Sequence, residues 1–246
     1  YEQLVGGVDT LFKGSSQKLQ SYASNAYKTA GLSANDYMET VTGFSASLIQ
    51  SLGGDTDKSV KYADMAITDM ADNANKMGTD MSLIQNAYQG FAKQNYTMLD
   101  NLKLGYGGTK EEMQRLLSDA EKISGVKYDI SSYADVVDAI HVMQESMDIA
   151  GTTAKEAEGT ISGSVNALKS SVTNLVVGFG DANADLGELC ENVVTAFQTV
   201  LENISPIVEN LVSALPIVIT TLLESAGEML PTVLETLAEL FAQVLE

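Results

Sequence analysis

The chain has 246 residues, with 14 Lys plus Arg against 33 Asp plus Glu and a net charge of −19. Phosphate backbones are gripped by clustered Lys and Arg, so this balance excludes a sequence-specific nucleic-acid role and disfavours anionic lipid surfaces. Cys190 is the sole cysteine, which rules out an internal disulfide, and the length suits one or two domains with a real core.

The charge is uneven. Residues 1–169 carry 22 acids and 14 bases, a net of −8, whereas residues 170–246 carry 11 acids and no Lys or Arg. All three prolines lie after residue 200. Both shifts predict a change of organisation near residue 181. A chain beginning with Tyr1 is expected to be a segment of a longer protein, or a processed one.

Residues 1–14 are expected to be a linker or incoming helix. Ser33 followed by Asp36 resembles a capping box. It opens a helix with Tyr37, Val41, Phe44, Leu48 and Leu52 on one side, ending at Gly53-Gly54. Asp55 or Thr56 then caps a second helix. Its apolar stripe runs Val60, Ala63, Ile67, Met70, Ala74, Met77, at alternating spacings of 3 and 4, and Gly78 stops it. Leu83, Ile84, Ala87 and Phe91 predict a helix after Asp80.

Next comes a glycine-rich loop, Leu104-Gly105-Tyr106-Gly107-Gly108-Thr109-Lys110. A P-loop needs two glycines bracketing four residues, then Lys and Ser/Thr, after a buried strand. The spacing here is wrong and no strand precedes it. The expectation is a turn, with Thr109 capping a helix that carries Glu111 and Glu112 in its first turn. That helix places Met113, Leu116, Leu117, Ala120 and Ile123 on one side. Ser132 caps a further helix with Val136, Val137, Ile140, Met143 and Met147. A last stripe runs Ile161, Val165, Leu168, Val172, Leu175, Phe179.

No run of period-two alternation is present. Residues 15–180 therefore read as a packed bundle of six to eight helices, and the Met residues at helical spacing read as core or adaptable interface.

The segment 181–246 is an acidic, leucine-rich helical array. Ser205-Pro206, Leu215-Pro216 and Leu230-Pro231 each lead into a Leu/Val stretch. Interior prolines cost about 3 kcal/mol each, so three short helices opened by Pro206, Pro216 and Pro231 are expected in place of one. The longest acid-free run, between Glu209 and Glu224, has 14 residues with Pro216 inside. A bilayer span needs about 20, so insertion is not expected, although a pore built from several copies stays open as an alternative.

Chemistry-bearing groups are sparse. Asp55–Ser59 and Asp181–Asp185 both resemble the start of a calcium loop, but neither has Gly at position six or Glu at position twelve. Asp181, Asn183 and Asp185 are expected to form a turn and helix cap. His141 is the only histidine and has no second nitrogen or sulfur ligand near it in sequence. Cys190 sits beside Glu191, which disfavours its thiolate. No catalytic set, cofactor or metal is expected, and the chain is not read as an enzyme.

Several blocks carry a resemblance. Leu104 to Lys110, with Glu112-Met113, Leu116-Leu117 and Asp119-Ala120, resembles the signature of the core region of phage tail tape measure proteins. So does Gly90-Phe91-Ala92-Lys93-Gln94-Asn95-Tyr96 through Leu102. Gly178-Phe179-Gly180-Asp181-Ala182-Asn183-Ala184-Asp185-Leu186, Asn203-Ile204 and the Pro-led repeats are similar to later blocks, in the same order.

The resemblance implies an all-α structural protein in the tube lumen or tip of a virion tail, made in the host cytoplasm. It implies roles in tail length determination, tail assembly and genome delivery. The implied partners are its own copies (a trimer or hexamer), the tail tube protein, tail-tip or baseplate hub proteins and tail assembly chaperones, with host membrane contact on ejection. A single helix of this length would span about 370 Å at ~1.5 Å per residue. The breaks and caps before residue 181 argue instead for a compact region of a longer tape measure.

Overall fold

The computed structural model describes residues 1–244, with side chains up to Glu235 apart from Val233. Val233 of the third Pro-led segment and residues 245–246 of the expected array therefore lie outside the described residues. The chain divides into two compact units, Tyr1–Val200 and Leu201–Glu246. Among the described residues there is no strand, so the all-α class holds.

The first unit opens with α1 (Glu2–Phe12), a helix, the second of the two alternatives for residues 1–14, and it buries Val8 and Phe12 in the main core. A single 3-10 turn leads to α2 (Ser16–Thr29). The helix expected from Ser33 to Leu52 is two helices, α3 (Ala34–Thr42) and α4 (Ser45–Ser51). Gly43, a weak helix former, sits at the break. Ser33 caps α3 by accepting from the Asp36 N–H at 3.2 Å, as the capping box predicts.

The central element is α5 (Thr56–Met77), capped by Asp55 and ended by Gly78. Val60, Ala63, Ile67 and Met70 are fully buried, and Ala74 and Met77 pack at the edge of the core. Asp80 caps α6 (Met81–Phe91). A 3-10 turn at Leu99–Leu102 and the glycine loop then lead to α7 (Lys110–Ser124). Ser132 caps α8 (Tyr133–Ser146) through the Asp135 N–H. Leu83, Ile123 and Met147, expected on buried faces, are exposed near helix ends.

Two short connections lead on to α9 (Thr152–Gly159) and α10 (Ile161–Gly178). Here the expected packing is reversed. Val165, Val172 and Phe179 of the apolar stripe are exposed, whereas Ser164, Ala167, Ser170, Ser171, Asn174 and Gly178 are buried. Small side chains let the backbone of α10 approach its neighbours, and Asn174 accepts from the Ala34 N–H at 2.8 Å. Close approach and hydrogen bonding decide the face, and apolar area does not.

The largest departure lies at the end. A single helix, α11 (Leu186–Val244), contains Pro206, Pro216 and Pro231 in its interior. The expected Pro-led short helices are absent. Each proline removes one N–H from the ladder, but all three are exposed, so water can reach the carbonyls left over at Glu202, Val212 and Gly227.

Candidate functional site

The glycine loop is pinned to α7 by side chains of that helix. Leu102, Leu104 and Tyr106 turn inward, and Met113, Leu116, Leu117 and Ala120 meet them from the buried face of α7. Thr109 caps the helix, its Oγ1 accepting from the Glu112 N–H at 3.2 Å. Glu112 reaches back, with Oε2 accepting from the Gly107 N–H at 3.0 Å. Arg115 donates to the Gly105 carbonyl at 2.8 Å and to Glu112 at 2.6 Å, while its guanidinium lies 4.2 Å from the Tyr106 ring centroid. Tyr106 Oη donates to Asp119 at 2.9 Å, and Lys122 closes the cluster on Asp119 at 2.7 Å.

These contacts occupy groups that a phosphate would need. Oriented loop N–H groups and the positive helix end are what an anion would need. Gly107 already gives its N–H to Glu112, and the Thr109 N–H is spent on the Gly107 carbonyl at 3.0 Å. The protein's own carboxylate fills the position. The Arg115 hydrogen bond, then the Gly107 N–H, hold the Glu112 carboxyl down at about 2. Burial, reinforced by Asp119, pushes the Tyr106 hydroxyl up to about 12. The loop is a structural clasp. Gly108 packs flat against the backbone at Thr97, because a Cβ there would lie 2.2 Å from the Thr97 carbonyl oxygen.

A polar column on α5 was not foreseen from the sequence. Asp69, Asp72 and Asn73 are all buried. His141 Nδ1 lies 2.9 and 3.0 Å from the two Asp69 oxygens, and Gln144 Nε2 donates to the Asp69 carbonyl at 3.1 Å. Burial raises the Asp69 carboxyl to about 6, and the hydrogen bond to Asp69 raises the His141 imidazole. Both shifts favour a proton held within the pair. Asp72 accepts from the Gly151 and Thr153 N–H groups, at 2.6 and 2.8 Å, and so anchors the start of α9. Asn73 donates to the Leu102 carbonyl at 2.9 Å, which ties α5 to the loop. The spacing i, i+3, i+4 on a helix with an otherwise apolar stripe was the available signal.

The calcium-like segment forms a turn and a cap. Asp181 Oδ1 accepts from the Asn183 N–H at 2.9 Å, and Asp185 Oδ1 accepts from the Glu188 N–H at 3.0 Å at the start of α11. Among the described residues, no three His, Cys, Asp or Glu side chains gather as metal ligands. Cys190 is exposed.

The second unit offers a different kind of surface. Leu201, Ile204, Val208, Leu211, Leu215, Val218 and Leu222 recur at alternating spacings of 3 and 4. They form the a/d seam of three heptads. Most of these side chains are about half exposed or more, among them Leu211 at 59 % and Leu222 at 65 %. The flanking e and g positions are Ser205, Val212 and Ile219, and Ile207, Ala214 and Thr221, none of them charged. Glu202, Glu209 and Glu224 and all three prolines fall at b, c or f, on the far side. A two-stranded coil covers only the a/d seam, and the uncharged face here is wider than that.

Comparison of the chain with protein-family models, with curated proteins and with solved structures gave no match.

Proposed function

We propose that this chain is a structural segment of a phage tail or tail-like particle, of the tape measure type. It would act from inside the tail tube or tip in tail length determination, assembly and genome delivery. The observation that carries the reading is the Leu201–Leu222 face of α11, apolar along the seam and uncharged on its flanks, with its carboxylates and prolines turned away. Such a helix needs several copies of itself around a common axis, in keeping with a trimer or hexamer. The ordered sequence blocks, from Gly90 through the Pro-led repeats, supply the link to tails. On this reading the tube protein, the tip or hub proteins and assembly chaperones are its partners, and its net charge of −19 keeps it from adhering to passing DNA. No catalytic residue is assigned.

Two measurements test the proposal. Light scattering on the purified chain is expected to give a species larger than a dimer, and Leu211→Glu with Leu215→Glu to give a monomer. Peptide mass spectrometry on purified tails is expected to find the segment in the particle. A wild-type monomer together with tails devoid of the segment would overturn the reading.

A membrane-active, pore-forming protein is the second reading. One observation favours it: Leu186–Thr232 is helical and by length and composition long and apolar enough to cross a membrane, with an unburied 18-residue apolar window inside it. The continuous helix removes the break at Pro216 that argued against a span. Glu188, Glu191, Glu202, Glu209, Glu224 and Glu228 remain, with no Lys or Arg to anchor an end. Dye leakage from liposomes by the intact chain would favour this reading; membrane-inert oligomers would count against it.

A further inference from the structure

Among the described residues, the main hydrophobic core ends at Ile149. Every buried side chain in it, from Val8 to Ile149, and every partly buried one packed on it precedes α9. The remainder of the first unit, from α9 onward, rests on a separate, small cluster: Tyr27, Ala157, Ala167 and Ala196, with Leu168 at its edge. This later segment contributes mostly alanine methyls to that cluster. Burial stabilises in proportion to the apolar area covered, so alanines hold far less than the Leu, Ile, Met and aromatic side chains of the main core.

The remaining attachment is polar. Asn174 accepts from the Ala34 N–H at 2.8 Å, Ser170 donates to the Gly31 carbonyl at 2.9 Å, and Tyr27 Oη donates to Asn192 at 2.9 Å. Each such bond contributes little net, because water replaces it on separation. The apolar residues of α10 add limited hold, since Val165, Val172, Val176 and Phe179 are exposed and Ile161, Leu168, Leu175 and Val177 are only partly buried. Separation would therefore expose far less apolar surface than unfolding of the main core.

The segment is also built to move as one piece. Gly163 lies so close to α9 that a Cβ would sit 2.1 Å from the Glu156 carbonyl oxygen, so the two helices are in backbone contact. The connection from α8 has Asp148 and Gly151 in the left-handed region, at φ 54° and 77°. Asp72 holds the two N–H groups at the start of α9, which fixes that end as a pivot.

We propose that residues 152–200 form a releasable arm, which opens as a unit from a core of residues 1–149 that stays folded. This goes beyond the assembly reading and does not depend on it.

Hydrogen-exchange mass spectrometry on the full chain tests it. Amides of α10 are expected to exchange at least 100-fold faster than those at the centres of α5 and α8. Asn174→Ala, and separately Tyr27→Phe, should each speed exchange in α10 about tenfold and leave α5 and α8 unchanged. Tyr27→Phe keeps the buried ring, so it reports on the hydrogen bond alone. A common rate for α5, α8 and α10 would overturn the proposal, because arm and core would then open together. So would variants that leave α10 unmoved, or that speed all three helices equally.

Discussion

Gly108→Ala is expected to cost about 3 kcal/mol of stability, the upper range for forcing a group into a packed site. The added Cβ would meet main-chain atoms, with the Thr97 carbonyl oxygen at 2.2 Å and its carbon at 2.9 Å. Backbone cannot swing aside as a side-chain tip can. Either the stretch of chain around Thr97 or the loop ahead of α7 must shift, and that loop also carries Tyr106 and the Gly105 carbonyl held by Arg115. Gly107→Ala is the internal control. Its Cβ would lie 3.5 Å from the Glu112 side chain, an ordinary contact, so its cost should stay below about 1 kcal/mol. Urea midpoints for the two variants make the comparison. Equal losses would mean that the loop does not pack flat against Thr97.

His141→Ala is the second large effect. It leaves Asp69 with a side chain only 2 % exposed and no partner for its charge. Breaking a buried pair from one side costs about 3–5 kcal/mol, and the lower figure applies because the imidazole is 27 % exposed. The pH dependence separates this pair from ordinary packing. Asp69 is raised to about 6 from 3.8 by burial, and His141 is raised above 6.5 by its bond to Asp69.

Both groups therefore bind protons more tightly in the folded state. Their contribution is fully present below the unfolded values and is lost as pH rises through the folded ones. Stability should fall between about pH 4 and 6 through Asp69, and again above about pH 6.5 through His141. Glu145, Asp138 and Asp72 add negative potential around the pair and act in the same sense. Glu112, Asp80, Asp119 and Asp129 run the other way: their carboxyls are held down, so their contribution is lost as pH falls below about 4. The wild-type chain should thus be most stable in mildly acidic buffer. Asp69→Asn should flatten the decline toward alkaline pH. Parallel profiles for wild type and Asp69→Asn would show that the pair does not control it.

The readable parts of the sequence were those governed by local rules. Caps at Ser33, Asp55, Thr109 and Ser132 and the stop at Gly78 depend on one or two neighbours, and they stand where the spacing puts them. The apolar stripe of α5 was legible because one periodic face meets one core. The α10 stripe misled because periodicity names an amphipathic helix but not which face a neighbour accepts. There Asn174, Ser170 and the small residues supply specific partners, and the valines stay outside. The prolines of α11 misled for a related reason. A penalty per residue takes no account of position around the helix, and all three lie away from the seam. The Asp69–His141 pair was invisible because 72 residues separate its members. The link to tails rests on sequence blocks alone, since a clasp and a seam fit more than one assembly.

The lack of bases along α11 has a consequence for how the protein can be cut. Trypsin-like proteases need Lys or Arg, and the last one is Lys169, so residues 170–246 offer them no bond even when unfolded. Tryptic digestion of residues 1–169 would leave this stretch whole. Glutamate-specific cleavage would instead sever it at Glu202, Glu209 and Glu224, all on the side away from the seam and open to attack within an assembled bundle.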